Sequence, residues 1–487
     1  MSLSRCPVGT LSLQFRTQST TRRCANRRVF QQNTRAATSQ LPNPSSTQAT
    51  RGFSSTASRS TDGVFRELTS ARVPTPWIEA LRRKEVGLEV NEVVSDAKEA
   101  KEAKERRMVG KRMSESYHSV VLPLARDPWL GDTYLNSSGH IRVGTLLMDL
   151  DALSGVIAYK HTGPDVTTVT AAFDRITIIN PLKEICDLEL SGQVTYATGR
   201  SSMEISLQVA KAPKDGEKVK TEDILISCTC TMVSLDSVTK KPVNINPLIV
   251  ETEEERRLYK AGERNSKQKK ELGKVSLLKQ TPNDEESDII HALWQKQVQW
   301  HDPNNQERKP NVVAFMDQTV LRTAAIMQPQ FRNRHHFMIF GGFLLKQTFE
   351  LAFCCAASFS HSRPTFISLD PSTFHNPVPV GSVLYLTATV TYTDPPAIDS
   401  PGDETSNVPA GKTRVHVRVD SKVRDVEHGV TKPTGQFNFS FEVDRDVRVM
   451  PKTYTEFMMY IDARRRALNV ARLATGAWIG GEMGVTE

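Results

Sequence analysis

The chain of 487 residues has no apolar run approaching the roughly 20 residues that a membrane-spanning helix needs. Its greasiest stretch, Met338 to Ala357, is broken by Gly341, Gly342, Lys346, Gln347 and Glu350, so no membrane span is expected. Asp and Glu are absent from residues 1–61, where nine arginines fall. With those nine removed, the formal charge of +8 becomes −1, so the basic excess is a property of that segment and gives no reason to expect a nucleic-acid partner. Metal-type cysteine spacing is missing too. The seven cysteines (Cys6, Cys24, Cys186, Cys228, Cys230, Cys354, Cys355) form an odd set that suggests neither a disulfide framework nor a zinc site. Cys228 and Cys230 share one face of an expected strand, and Cys354 and Cys355 are expected as small core residues.

The long apolar stretch of a secretory signal is lacking as well. An acid-free segment rich in Arg, Ser and Thr is instead the composition of a mitochondrial transit peptide, and Arg51-Gly52-Phe53-Ser54-Ser55 fits a matrix-processing pattern. Residues 1–61 are therefore expected to direct the chain to the mitochondrial matrix.

What is present is an internal repeat. Val143-Gly144-Thr145-Leu146-Leu147 opens one apolar helix, and Gly341-Gly342-Phe343-Leu344-Leu345 opens another. About thirty residues after each glycine comes Asp followed by Asn-Pro: Asp174 with Asn180-Pro181, and Asp370 with Asn376-Pro377. These asparagines and prolines suit turns, with the aspartates stabilising them. Alternating strands follow, near Leu188–Leu190, Met203–Leu207 and Ile224–Val233 in the first half, and near Leu384–Tyr392, Arg414–Val423 and Phe437–Val443 in the second. A further strand is expected from Tyr117 to Ala125, and an exposed charged helix from Glu251 to Leu272. Helical spacing of Val143, Leu146, Leu150, Leu153 and Ile157 gives the first helix an apolar stripe, and the second is apolar nearly all round. Such helices must be wrapped. A long helix enclosed by a curved antiparallel sheet is a hotdog, so the expected class is α+β, a tandem double hotdog.

The expected organisation is a transit peptide at 1–61, an accessory region at 62–112, a first hotdog domain at 113–246 and a charged helical linker at 247–310. A second hotdog domain follows at 311–446, and a C-terminal extension at 447–487. Within the second domain, Pro395 to Lys412 has the composition of a disordered loop.

Chemistry-bearing residues gather at the two helix starts. Asn136 precedes the first helix, which carries Asp149 and Asp151; Asn333, His335 and His336 precede the second, which carries Glu350. A glycine-led helix N-terminus directs backbone N–H groups at whatever sits there, which suits a thioester oxygen as its charge grows. A carboxylate two turns into the facing helix can activate water, and an Asn amide can orient it.

The segments Gly144 to Asp151, Ile339 to Leu345 with Glu350-Leu351-Ala352, Ser362-Arg363-Pro364 and Pro451-Lys452-Thr453-Tyr454 resemble the mitochondrial acyl-CoA thioesterases of type 9, over roughly Arg112 to Arg466. The resemblance implies hydrolysis of fatty acyl-CoA to free acid and CoA, with acyl-CoA as the partner, no metal and no cofactor. It places the catalytic acid at Asp151 with Asn333 from the other copy, and a reciprocal pair at Glu350 with Asn136. Gly144, Gly341, Gly342 and His336 would shape the oxyanion or substrate site, and Arg363 is either structural or a contact to CoA phosphate. Asn333 lies one residue too far from its glycine, and Glu350 is displaced by one from the position of Asp151, which on a helix is a turn of about 100°. A homo-oligomer of double-hotdog units is the expected assembly. Two alternatives remain: a silent acyl-CoA-binding protein, and a hotdog enoyl-CoA hydratase. Asp370 to His375 does not reproduce the hydratase pattern.

Overall fold

The computed structural model describes residues Trp77–Glu85 and 108–474, apart from 164–165, 181, 183, 214–218, 237–238, 240, 273–276, 278–279, 334–337, 399–407 and 410. The expected transit peptide, the terminal residues 475–487, His335, His336 and much of the Pro395 to Lys412 loop lie outside the described residues.

Two central helices of 20 residues each, α1 (Val143–Thr162) and α4 (Gly341–Ser360), lie 198 residues apart in register. Every member of the apolar stripe on α1 is buried, with Leu150, Leu153 and Ile157 fully so. Burial of each such side chain contributes about 1.5–3 kcal/mol. Gly163, at φ 81°, ends α1 in a conformation that a side chain would strain.

Around these helices runs a sheet of twelve strands. The first half supplies β1 (His118–Leu122), β2 (Val166–Phe173), β3 (Ile176–Ile178), β4 (Leu188–Ala197), β5 (Ser202–Lys211) and β6 (Ile224–Asp236). The second supplies β7 (Leu321–Ile326), β8 (Thr365–Leu369), β9 (Ser372–Phe374), β10 (Val383–Asp394), β11 (Thr413–Arg424) and β12 (Thr431–Val443). Strand order is β1-β4-β5-β6-β3 in the first half and β7-β10-β11-β12-β8 in the second, with β2 beside β6 and β9 beside β12. This identical connectivity, each half wrapped on one long helix, is a tandem α+β hotdog. The expected strand from Tyr117 to Ala125 shortens to β1, because the chain turns at Pro123, where the N–H groups of Arg126 and Asp127 bond back to its carbonyl.

Among the described residues, the two half-sheets join along one antiparallel seam. Phe173 pairs with Ser372 and Ile176 with Leu369, which are reciprocal positions under an offset of 196. Between the paired strands lie Asp174 and Asp370, each bonded through its N–H to the neighbouring strand, at Thr229 and Asn438 respectively. The Asn180 side chain donates to the carbonyls of Glu222 and Ile224, and that of Asn376 to the carbonyl of Pro433, so both tie turns to the sheet.

Helices also cover the outer face. α2 (Glu253–Leu272) is the expected charged helix, largely exposed, with one side docked on the sheet. Its Tyr259 ring packs 4.9 Å from Tyr196 on β4, Gly262 admits Tyr196 closely, and Lys269 reaches Glu204 at 2.9 Å and Asp174 at 3.0 Å. The segment read as a C-terminal extension forms α5 (Tyr454–Ala474), which does the same for the second half. Tyr460 packs 5.1 Å from Tyr392 on β10, and Arg466 reaches Asp370 at 3.3 Å. Both helices begin with the same capping arrangement, Thr252 with Glu255 and Thr453 with Glu456, in which hydroxyl and carboxylate satisfy each other's backbone N–H groups. The polar stretch before residue 310 contains a further helix, α3 (Asp284–His301), tied to α5 by Glu286 with Arg465 at 2.6 Å.

Of the cysteines, Cys228, Cys230 and Cys355 are buried, whereas Cys354 is exposed, because adjacent helical positions cannot share a face.

Candidate active site at the start of the second central helix

The two central helices pack antiparallel, and glycine sets how close they come. A Cβ on Gly342 would lie 2.9 Å from both Asp151 Cβ and the Met148 carbonyl oxygen, and one on Gly144 would lie 3.1 Å from the Phe349 ring. Only a bare backbone allows this approach.

Asp151 is fully buried at the crossing, in the middle of α1 and against the N-terminus of α4. Its Oδ2 accepts the Gly342 N–H at 2.5 Å, and its Oδ1 accepts the Thr170 hydroxyl at 2.7 Å. The Ser154 hydroxyl, 2.8 Å from the Asp151 carbonyl oxygen, also stands 3.5 Å from Oδ1. The carboxylate therefore sits at the positive end of a helix dipole with donors on both oxygens. The sequence led us to expect that the glycine N–H groups would face a thioester oxygen. The Gly342 N–H instead holds the acid, while those of Gly341 and Phe343, also in the first turn, have no acceptor within the helix.

Thr170, which the sequence reading missed, comes from β2. A bulge between Thr170 and Ala172 re-aims the strand there. The second copy has the same bulge, between Phe366 and Ser368, so Phe366 is the counterpart of Thr170. On the helices, Asp151 and Phe349 are each the ninth residue. The hydrogen-bonded pair of the first copy is thus an aromatic pair in the second, with rings 5.4 Å apart and edge-on. Phe439 and Phe441 pack on Phe349 as well, at 5.8 and 6.0 Å.

Glu350, turned away from that position, has a side chain 44% exposed and meets Arg142 at 3.3 Å. Asn136 uses its Oδ1 to accept the N–H groups of Ser138 and His140 in a tight turn. Its own N–H donates to His140, and that of Asn333 donates to Met338 in the corresponding place before α4. Leu135 bridges Ile141 as Arg332 bridges Ile339, so the two asparagines follow equivalent bridges. Arg363 donates to Ser137 at 3.0 Å and links the copies. Asp370 is buried between Arg466 and Arg175, which occupies the carboxylate a hydratase reading would call on.

A second buried carboxyl lies near the site. Asp149 accepts the Tyr134 hydroxyl on Oδ2 at 2.6 Å, while its buried Oδ1 has no partner. Burial pushes its pKa up to about 7, against the lowering effects of the Tyr134 bond and the Lys346 charge. Cys230, beneath the site, is raised by burial and secondarily by the charge of Asp151.

The chain is 34% identical to the mouse mitochondrial acyl-coenzyme A thioesterase 9 over 364 residues, covering 73% of this chain and 78% of that protein. It is 33% identical to the human mitochondrial acyl-coenzyme A thioesterase 9 over 374 residues, covering 75% and 80%. Among solved structures it is similar to an acyl-CoA hydrolase from Staphylococcus aureus, at 24% identity and a TM-score of 0.28, covering 39% of this chain and 99% of that one. No family model matches.

Proposed function

Because the chain belongs to the acyl-CoA thioesterase 9 family, we propose that its hydrolysis of acyl-CoA runs at one composite site, with Asp151 as general base and Asn333 as the amide that orients water. One observation carries this reading. Asp151 is buried, doubly hydrogen-bonded and set at a helix start, whereas the equivalent place in the second copy is filled by Phe349 against Phe366.

Asp151 takes a proton from water as the water oxygen attacks the thioester carbon. The C–S bond then breaks, the CoA thiolate leaves and is protonated, and the free acid remains. Gly342 N–H and the Thr170 hydroxyl hold the carboxylate in one orientation. The first-turn N–H groups of Gly341 and Phe343 supply the positive end toward which the carbonyl oxygen develops its charge. Glu350 and Asn136 serve as structural groups, one paired to Arg142 and the other closing a turn.

The N-terminal composition and the mitochondrial names of the relatives support a location in the mitochondrial matrix. A reporter fused to residues 1–61 should therefore enter mitochondria. Among the described residues β1 and β7 end the sheet, with Val121 and Ile326 exposed, which supports a homo-oligomer. Purified protein should release free CoA thiol from acyl-CoAs. No release across short, medium and long chains would sink the reading.

A further inference from the structure

The surroundings of Asp151 include an aromatic side chain that the second copy contributes. A Cβ built on Gly341 meets three groups: Asp151 Oδ2 at 3.1 Å, the tip of the Phe374 ring at 3.5 Å, and Thr170 Cβ at 3.6 Å. Carboxylate, hydroxyl-bearing side chain and aromatic ring thus converge closely around Gly341. Phe374 ends β9, the strand that crosses the seam to pair with β2 through Thr373 and Ala172. Its ring packs edge-on to Phe437 at 5.6 Å, and Phe437 is fully buried.

We propose that Phe374 is a specificity residue, the wall that limits substitution at the acyl carbon next to the thioester carbonyl. This rests on Asp151 marking the reaction centre. The pair of half-buried Phe374 and buried Phe437 is an apolar surface, so the part of the substrate that meets it is the acyl side rather than the polar CoA moiety. The ring tip stands within contact distance of the same point as the carboxylate oxygen, so it meets the first acyl carbon rather than the chain's far end. A straight chain passes such a wall with two hydrogens on that carbon. A methyl branch there requires room that the ring occupies, and one methyl group against a fixed wall is worth roughly tenfold or more in selectivity.

The test compares butyryl-CoA with 2-methylpropanoyl-CoA as substrates of the full chain, its Phe374→Ala variant and its Phe374→Leu variant. Binding of the inert ketone analogues S-(2-oxopentyl)-CoA and S-(3-methyl-2-oxobutyl)-CoA is measured in parallel, with a thermal unfolding curve for each protein. The expected result is a rise of roughly tenfold in the branched-to-straight ratio for Phe374→Ala, in both kcat/KM and affinity, with Phe374→Leu between. An unchanged ratio in folded variants overturns the proposal, as does failure of the wild type to bind either analogue. If the wild type binds the analogues but hydrolyses nothing, the thioesterase reading fails while the affinity ratio still decides the role of Phe374. If Phe374→Ala does not fold, the same ratio measured on Phe374→Leu alone decides between the two outcomes.

Discussion

Phe349 and Phe366 meet edge to face, 5.4 Å apart, at the two positions where the first copy holds Asp151 and Thr170. A carboxylate–hydroxyl bond and an aromatic contact occupy equivalent places in one duplicated frame. Polar groups buried without use are costly, and the second copy has none at this point. Its aromatic cluster packs as core, and the proposed chemistry rests on the first helix.

Loss of the Thr170 hydroxyl should weaken catalysis without unfolding the protein. Thr170→Val keeps the shape and removes one charge-assisted bond, worth about 1.5–3 kcal/mol. The expected fall in kcat is about 10- to 100-fold with little change in KM, and Thr170→Ser should recover most of it. Steady-state thiol release measures both.

Gly342→Ala should destabilise the fold, since the new methyl meets Asp151 Cβ and the Met148 carbonyl, both at 2.9 Å. Overpacking of this kind costs about 1–3 kcal/mol. Urea unfolding should show a lower midpoint at unchanged slope.

Stability should depend on pH through Asp149. Its folded value of about 7 lies above that of an unfolded aspartate, so the fold favours the neutral acid. That contribution is complete below the unfolded value and disappears as pH rises through 7. Between pH 5 and pH 8 it amounts to roughly 3 kcal/mol lost. Asp149→Asn keeps an acceptor for Tyr134 and cannot ionise, so its stability should vary less over that interval. Chemical unfolding at pH 5 and pH 8 gives the comparison.

The fold was readable where chemistry repeats along the chain. The stripe from Val143 to Ile157, the glycine-led starts and the Asp-Asn-Pro bends gave two helices and two meanders at nearly one period. The trailing helices were harder, because α2 docks through Tyr259, Gly262 and the Lys269 charge rather than an apolar stripe. Within the site, Asp151 was placed by the family resemblance, seven residues after Gly144. Thr170 carried no signal of its own, since a strand bulge aims it and only comparison with Phe366 exposes it. The shifts at Asn333 and Glu350 look alike in sequence and differ physically. Asn333 still follows the bridge equivalent to that before Asn136, but a one-residue shift on a helix turns Glu350 away toward Arg142.

The most direct test of a single working site is CoA release by Asp151→Asn beside Glu350→Gln, both checked for folding. The account predicts a fall of at least about 100-fold for Asp151→Asn and a change within about threefold for Glu350→Gln. Turnover unchanged in Asp151→Asn and abolished in Glu350→Gln would contradict it.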